Sequence, residues 1–241
     1  MTRPPVGSAL RRPAARTLRA AGLRRSRNVL DPNPSQLVLL AATERLVARY
    51  GFQGASSRAI VREAGHRNNS AVTYHFGSRQ TMLDALYHWR STPINAHRAR
   101  LVAELVAEGR ERDPEALVRA YVVPFVSAVE GMRPSSWARY TQAVLQDRPL
   151  VFMDWVRRDV KRYEGVDVPV ATTLDLQDMM RAVACDGVEP LAGLRVAMVS
   201  RAVVAAVAAW EADDERGVLD TPPLDVLTDQ LVRSATGMLT A

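Results

Sequence analysis

The sequence predicts an all-α protein, with a small N-terminal head of three helices followed by a larger helical body. Three observations carry this. Apolar residues from Pro34 onward recur every three or four positions, Pro and Gly fall together at the joints between such stretches, and the period-two alternation of a strand is missing. The chain divides into an Arg-rich arm over 1–33, the head over 34–92 and the body over 93–241.

The first helix opens at Asn33-Pro34-Ser35-Gln36. An Asn cap, a Pro at the first helical position and a Gln three residues on satisfy the orphan N–H groups of a first turn. Leu37, Leu40, Ala41, Val47 and Tyr50 predict its buried stripe, Glu44, Arg45 and Arg49 its solvent face, and Gly51 its end. The hydroxyl of Ser56 or Ser57 starts a second helix, which runs through Ile60 to Ala64 and stops at Gly65. After a tight turn, Asn68 or Asn69 caps a short third helix that closes at Gly77. Helix, turn, helix in this order lays the last helix in a DNA major groove. Val72 and Phe76, four apart, face the core, whereas Asn69, Ser70, Thr73 and Tyr74 face away with side chains able to reach base edges or phosphates. A fourth helix follows, and Pro93, lacking an N–H, is expected to kink or break it after Arg90-Ser91.

Gly51-Phe52, Ser56-Ser57-Arg58-Ala59-Ile60, Ala64-Gly65 and above all Tyr74-His75-Phe76-Gly77-Ser78-Arg79 resemble, in kind and order, the N-terminal signature of the TetR family of bacterial transcriptional regulators. The resemblance implies a helix-turn-helix DNA-binding head and a C-terminal domain for ligand binding and dimerisation. It implies a homodimer on double-stranded operator DNA, expected to be a repressor released from a palindromic operator by a small-molecule effector. Together with the face argument it assigns Ser57, Tyr74, His75 and Arg79 to the DNA backbone, Asn68, Asn69, Ser70 and Thr73 to base reading, and Arg58 to DNA binding without a stated role. The turn His66-Arg67-Asn68-Asn69 is about one residue longer than the family's commonest form and lacks its small-residue and Lys pattern, so no base preference transfers with the resemblance.

Charge is segregated in the same sense: the arm carries a net +7, the head +4 and the body −5. Only the head and its arm are built to meet a polyanion. The arm, rich in Arg, Ala and Pro without an apolar stripe, is expected to be disordered. Arg11-Arg12 and Arg24-Arg25 suggest an export signal, but no apolar run of the needed length follows either pair. No stretch is expected to reach the eighteen or so apolar residues of a membrane span, and a single Cys185 excludes an internal disulfide, so a cytoplasmic location is expected.

In the body, the helix opening at Pro190 shows Leu191, Leu194, Met198, Ala202, Ala205, Ala206, Ala209 and Trp210 on one face, beside Arg195 and Arg201. The last helix shows Leu224, Leu227, Leu231, Ala235 and Met238 at bundle-seam spacing. Such stripes fill either a monomer core or a four-helix seam between subunits, and the resemblance favours the seam. Aromatic and sulfur residues gather mid-chain, as ordinary core or as the wall of the effector cavity that the resemblance implies. Phe125, Trp137, Tyr140, Thr141, Met153, Trp155, Met179 and Met180 are the candidate ligand-binding residues, with Arg139 and Gln142 as further polar handles; the expected effector is apolar or aromatic.

Catalytic chemistry finds little purchase. There is no Gly-rich phosphate loop, nucleophile elbow or Ser/His/Asp order, and His66, His75, His88 and His97 make no pair at metal-ligand spacing, so neither an enzyme, a metal nor a cofactor is expected. Glu211, Asp213, Asp214 and Glu215 are expected to be a solvated helix end. The competing readings are an architectural DNA binder with little sequence preference, and an enzyme with an unrecognised pocket.

Overall fold

The computed structural model describes residues 31–146, 148–151, 169–184, 188 and 190–241, and among these every regular element is a helix. The arm, Met153, Trp155 and Cys185 lie outside the described residues. The helices are α1 (Pro34–Gly54), α2 (Ser57–Glu63), α3 (Ala71–Phe76), α4 (Arg79–Ala107), α5 (Pro114–Glu130), α6 (Trp137–Gln146), α7 (Pro169–Val183), α8 (Leu191–Arg216) and α9 (Leu224–Thr240).

The start of α1 forms as the capping box requires: Asn33 Oδ1 accepts from the Gln36 N–H, and Gln36 Oε1 accepts from the Asn33 N–H, each at 3.0 Å. At Gly51 the backbone turns to φ 66°, so the regular helix stops there although a further turn carries on to Gly54. The buried stripe differs from the predicted one. Leu39, Leu40, Thr43, Leu46 and Val47 are inside, Leu37 is half-buried, and Tyr50 is 65 % exposed. Glu44, expected in solvent, is buried. The reason is that α1 is covered on two sides, by α2 and α4 of the head and by α6 of the body, whereas the periodicity argument allowed it one partner.

Pro93 does not break α4. The helix is continuous from Arg79 to Ala107, and Arg90, Ser91, Ile94, Asn95 and Arg98 are buried on either side of the proline. Side-chain donors reinforce this stretch: Thr92 Oγ1 donates to the His88 carbonyl and Asn95 Nδ2 to the Ser91 carbonyl, both at 2.8 Å. Burial along the whole segment thus outweighs the one ladder hydrogen bond that proline forfeits.

In the body, α5 packs against α4, α7 and α9, and α8 packs against α6, α7 and α9. The buried face of α8 is Val196, Val199, Val203, Val204, Val207 and Ala208. Of the stripe predicted for this helix, only Trp210 belongs to the core, where its Nε1 donates to the Pro222 carbonyl at 2.7 Å. Leu191 and Met198 are 50 % and 45 % exposed, and Ala205 and Ala209 are open to solvent. Contrary to expectation, α8 has the length and composition of a membrane span, with a mean hydropathy of 1.7. Half of that apolar window is covered within the chain, as in the core helix of an ordinary fold.

Candidate nucleic-acid interface

Helix α2 is capped by Ser56, whose Oγ accepts from the Ala59 N–H at 3.3 Å. The Ala64–Gly65 corner, with Gly65 at φ 70°, then turns the chain away. Asn68 organises the next turn, accepting from the Ser70 N–H at 2.9 Å through its side chain and from the Ala71 N–H at 3.0 Å through its carbonyl. Helix α3 therefore begins at Ala71, with Ser70 rather than Asn68 or Asn69 in the cap position, because the side chain of Asn68 is spent on the turn ahead of it, where Asn69 also lies. Ala71 and Val72 are buried, and Gly77 at φ 77° closes the helix with an N–H to the Thr73 carbonyl at 2.9 Å.

This anchoring leaves one face of α3 bare. Asn68, Asn69, Ser70 and Thr73 are exposed, and Tyr74 is 82 % exposed with its ring edge-on to His75 at 4.9 Å. A tyrosine so exposed contributes nothing to the core and presents its hydroxyl outward. Arg58 and Arg62 of α2 and Arg67 of the turn ahead of α3 are exposed, while Glu63 pairs with Arg45 at 3.0 Å. Ser57 is half-buried at the start of α2 and His75 half-buried on α3. The geometry is that of a short helix held from behind, with hydrogen-bonding side chains in front and exposed arginines on the helix and turn that precede it.

Two side chains act differently from their sequence reading. Arg79 donates from Nε to the Ala55 carbonyl at 2.8 Å and from Nη2 to the Phe52 carbonyl, so it braces the end of α1 against the start of α4. Gln36 does more than cap: buried behind α3, its Nε2 donates to the His75 carbonyl at 3.3 Å and fixes that helix's C-terminal end. The capping box gave Gln36 a sufficient local role, so nothing in the sequence signalled the second contact.

Behind the head lies a polar junction with the body. Glu44 of α1 forms an ion pair with Arg90 of α4 at 3.1 Å and accepts from the Ser136 N–H at 3.2 Å, just ahead of α6. Glu211 of α8, 2 % exposed, accepts from the N–H groups of Ala138 and Arg139 at 3.2 and 3.0 Å and from Arg139 Nε at 3.1 Å. Two buried carboxylates thus sit at the α6 N-terminus, where the orphan N–H groups and the helix dipole favour them. Arg139 is committed to this network and to Glu215, which also pairs with Arg49, and Asp214 pairs with Arg133. The expected solvated acidic end of α8 is therefore an interface with the head and α6. Desolvation pushes the Glu44 carboxyl above its ordinary value despite Arg90, whereas the hydrogen bond from Arg49 holds Glu215 below it. A cavity of about 530 Å³ opens here, between Ala41, Arg45 and Trp89 of the head and Met132, Pro134 and Asp214 of the body.

The candidate ligand residues separate. Trp137 stacks on Tyr140 at 5.2 Å, Tyr140 meets Phe52 of the head at 6.0 Å, Tyr87 lies 6.1 Å from Trp137, and the Arg90 guanidinium stands 5.3 Å over the indole. These aromatics tie α6 to the head, and Thr141 turns its hydroxyl to the Trp137 carbonyl at 2.8 Å. Phe125 and Met180 are buried on α5 and α7, and Met179 is half-buried.

Residues 39–86 match the family model described as bacterial regulatory proteins, tetR family. No curated protein matches the chain. Among solved structures, the chain is similar to a protein of unknown function from Rhodococcus sp. RHA1 (20 % identity over 87 % of this chain and 97 % of that one, TM-score 0.41). It is also similar to a TetR-family regulator from Streptomyces coelicolor A3 (16 %, 91 % and 100 %, 0.38) and to the multidrug binding protein EbrR complexed with imidazole (19 %, 88 % and 97 %, 0.34).

Proposed function

We propose that this TetR-family transcriptional regulator is a dimeric repressor that reads a palindromic operator with α3 and is released from it by a small-molecule effector. The observation that carries the DNA-reading part is the bare face of α3. Asn68, Asn69, Ser70 and Thr73 read bases there, and Ser57, Arg58, Tyr74 and His75 hold phosphates beside them. With two of its donor nitrogens already engaged on carbonyls, Arg79 braces α4 against the end of α1 and is a lesser phosphate ligand.

Support for the dimer comes from the exposed stripe of α8, where Leu191, Met198, Ala205 and Ala209 have no partner in the monomer, and from the half-buried Leu227, Leu231 and Met238 of α9. Two copies of these helices form a four-helix seam in which alanines permit close approach. The effector enters the body between α4, α5 and α7. Selection of bound sequences from random DNA tests the reading directly: an enriched inverted repeat is expected, and recovery of unenriched DNA would favour an architectural binder.

A further inference from the structure

Two arginines among the described residues are fully buried, and they are treated differently. Arg90 faces Glu44, but Arg98, 5 % exposed, faces no carboxylate among the described residues. Its Nη1 donates to Asn95 Oδ1 and, at 2.9 Å, to Thr173 Oγ1; its guanidinium carbon stands 5.4 Å over the ring of Tyr121; its buried Nε has no hydrogen-bond partner. These neighbours orient the guanidinium without neutralising it. A buried cation without a counter-charge is strongly unfavourable, and this burial pushes the Arg98 pKa down.

The position matters as much as the charge. Arg98 of α4 meets α5 through Tyr121 and α7 through Thr173, so it lies where three body helices converge. One turn beyond Thr173, on the same side of α7, Gln177 is 2 % exposed with a buried Oε1 that has no donor. One turn beyond Tyr121 on α5 comes the buried Phe125, and one turn beyond Gln177 comes the fully buried Met180. Among the described residues, a guanidinium that meets no carboxylate, an unmet acceptor on Gln177, whose Nε2 donates to Ser200 Oγ at 3.3 Å, and apolar side chains on the same helix faces make a polar end and an apolar wall.

We propose that Arg98 receives the carboxylate of an amphipathic organic acid, whose apolar part runs toward Phe125 and Met180. One guanidinium balances one negative charge, and its planar fork matches a carboxylate. This rests on the effector reading above and changes its chemistry, from a neutral apolar molecule to an apolar acid.

Decanoate and benzoate, set against decanol and benzyl alcohol, are the probes, added to the full chain while the melting temperature and tryptophan fluorescence are followed. The acids are expected to raise the melting temperature progressively and to bind about tenfold or more tightly than their alcohols. Arg98→Met should erase that preference, and Arg98→Lys, which keeps the charge without the fork, should retain part of it even if the first variant folds poorly. Equal binding of acid and alcohol, survival of the preference in Arg98→Met, or no response to either acid up to about 1 mM would overturn the proposal. Alcohols that bind without preference and still release DNA would leave the effector reading standing while removing the acid from it, and selection of an operator by the unliganded protein tests the DNA reading alone.

Discussion

Glu44 and Arg90 differ in what their removal leaves behind. Burial already pushes Glu44 toward its protonated form, so Glu44→Gln exchanges a reluctant carboxylate for a neutral amide of the same shape, and the charge of Glu211 remains to offset the buried Arg90. Arg90→Met strands that carboxylate among Ser136 and Glu211 with its counter-charge gone, and is expected to cost about 3–5 kcal/mol. Urea unfolding should rank Arg90→Met as the more damaging substitution, with the double variant recovering most of the loss. The pH dependence follows in sign. A carboxyl whose folded pKa lies above its unfolded value takes up a proton more readily when folded, so acidification from neutrality toward that raised value should stabilise Arg90→Met. An equal loss from both single changes would show that the pair, not the stranded carboxylate, sets the energy. On α3 the proposed roles divide into side chains that read and side chains that hold. Thr73→Ala or Asn69→Ala should cost about 1–3 kcal/mol on the preferred site and relax one base position, and Tyr74→Phe should weaken all sequences alike. Competition binding against random DNA separates the two behaviours.

At the level of the helix, a face can be apolar for two reasons, and α8 carries both. Its valine face fills the core of the monomer, and its leucine, methionine and alanine face lies outside. Met198→Arg places a charge at a position that solvent already reaches in the monomer, so the chain should fold. Its sedimentation mass should halve and operator binding collapse; a folded dimer that still binds would locate the interface elsewhere. The same helix shows what a sequence reveals and what it withholds. Caps at Asn33 and Ser56, stops at Gly65 and Gly77 and the bare face of α3 were legible, because each depends on neighbours within four residues. The burial of Glu44, the caps that Glu44 and Glu211 provide for α6, the brace made by Arg79 and the continuity of α4 through Pro93 were not. Each depends on a partner that arrives from far along the chain or on packing spread over several elements. The apolar stripe of α8 was legible as a stripe, but spacing alone left open whether it fills the monomer core or a seam between subunits, and in the monomer only Trp210 of it is buried.

For the molecule as a whole, charge and rigidity decide how the parts cooperate. The arm, head and body differ sharply in net charge, and a run of arginines such as the arm's is suited to meeting phosphates. Deleting residues 1–30 should make the log-affinity against log-salt slope shallower by several units while leaving the selected sequence unchanged; an unchanged slope would mean that the arm never meets DNA. Rigidity enters through α4. Because it passes Pro93 without interruption, residues that seat α3 and residues that surround Arg98 hang on a single rod. From Arg79 to Arg98 that rod measures about 29 Å at the ordinary helical rise, so a tilt of about 5° at the inner end sweeps the outer end through about 2.5 Å. In a symmetric pair the two sweeps add, and a grip on successive turns of a double helix depends on the gap between the jaws. A helix that is not interrupted at its proline would work as a crowbar, with its fulcrum in the body and its tip at the face of α3.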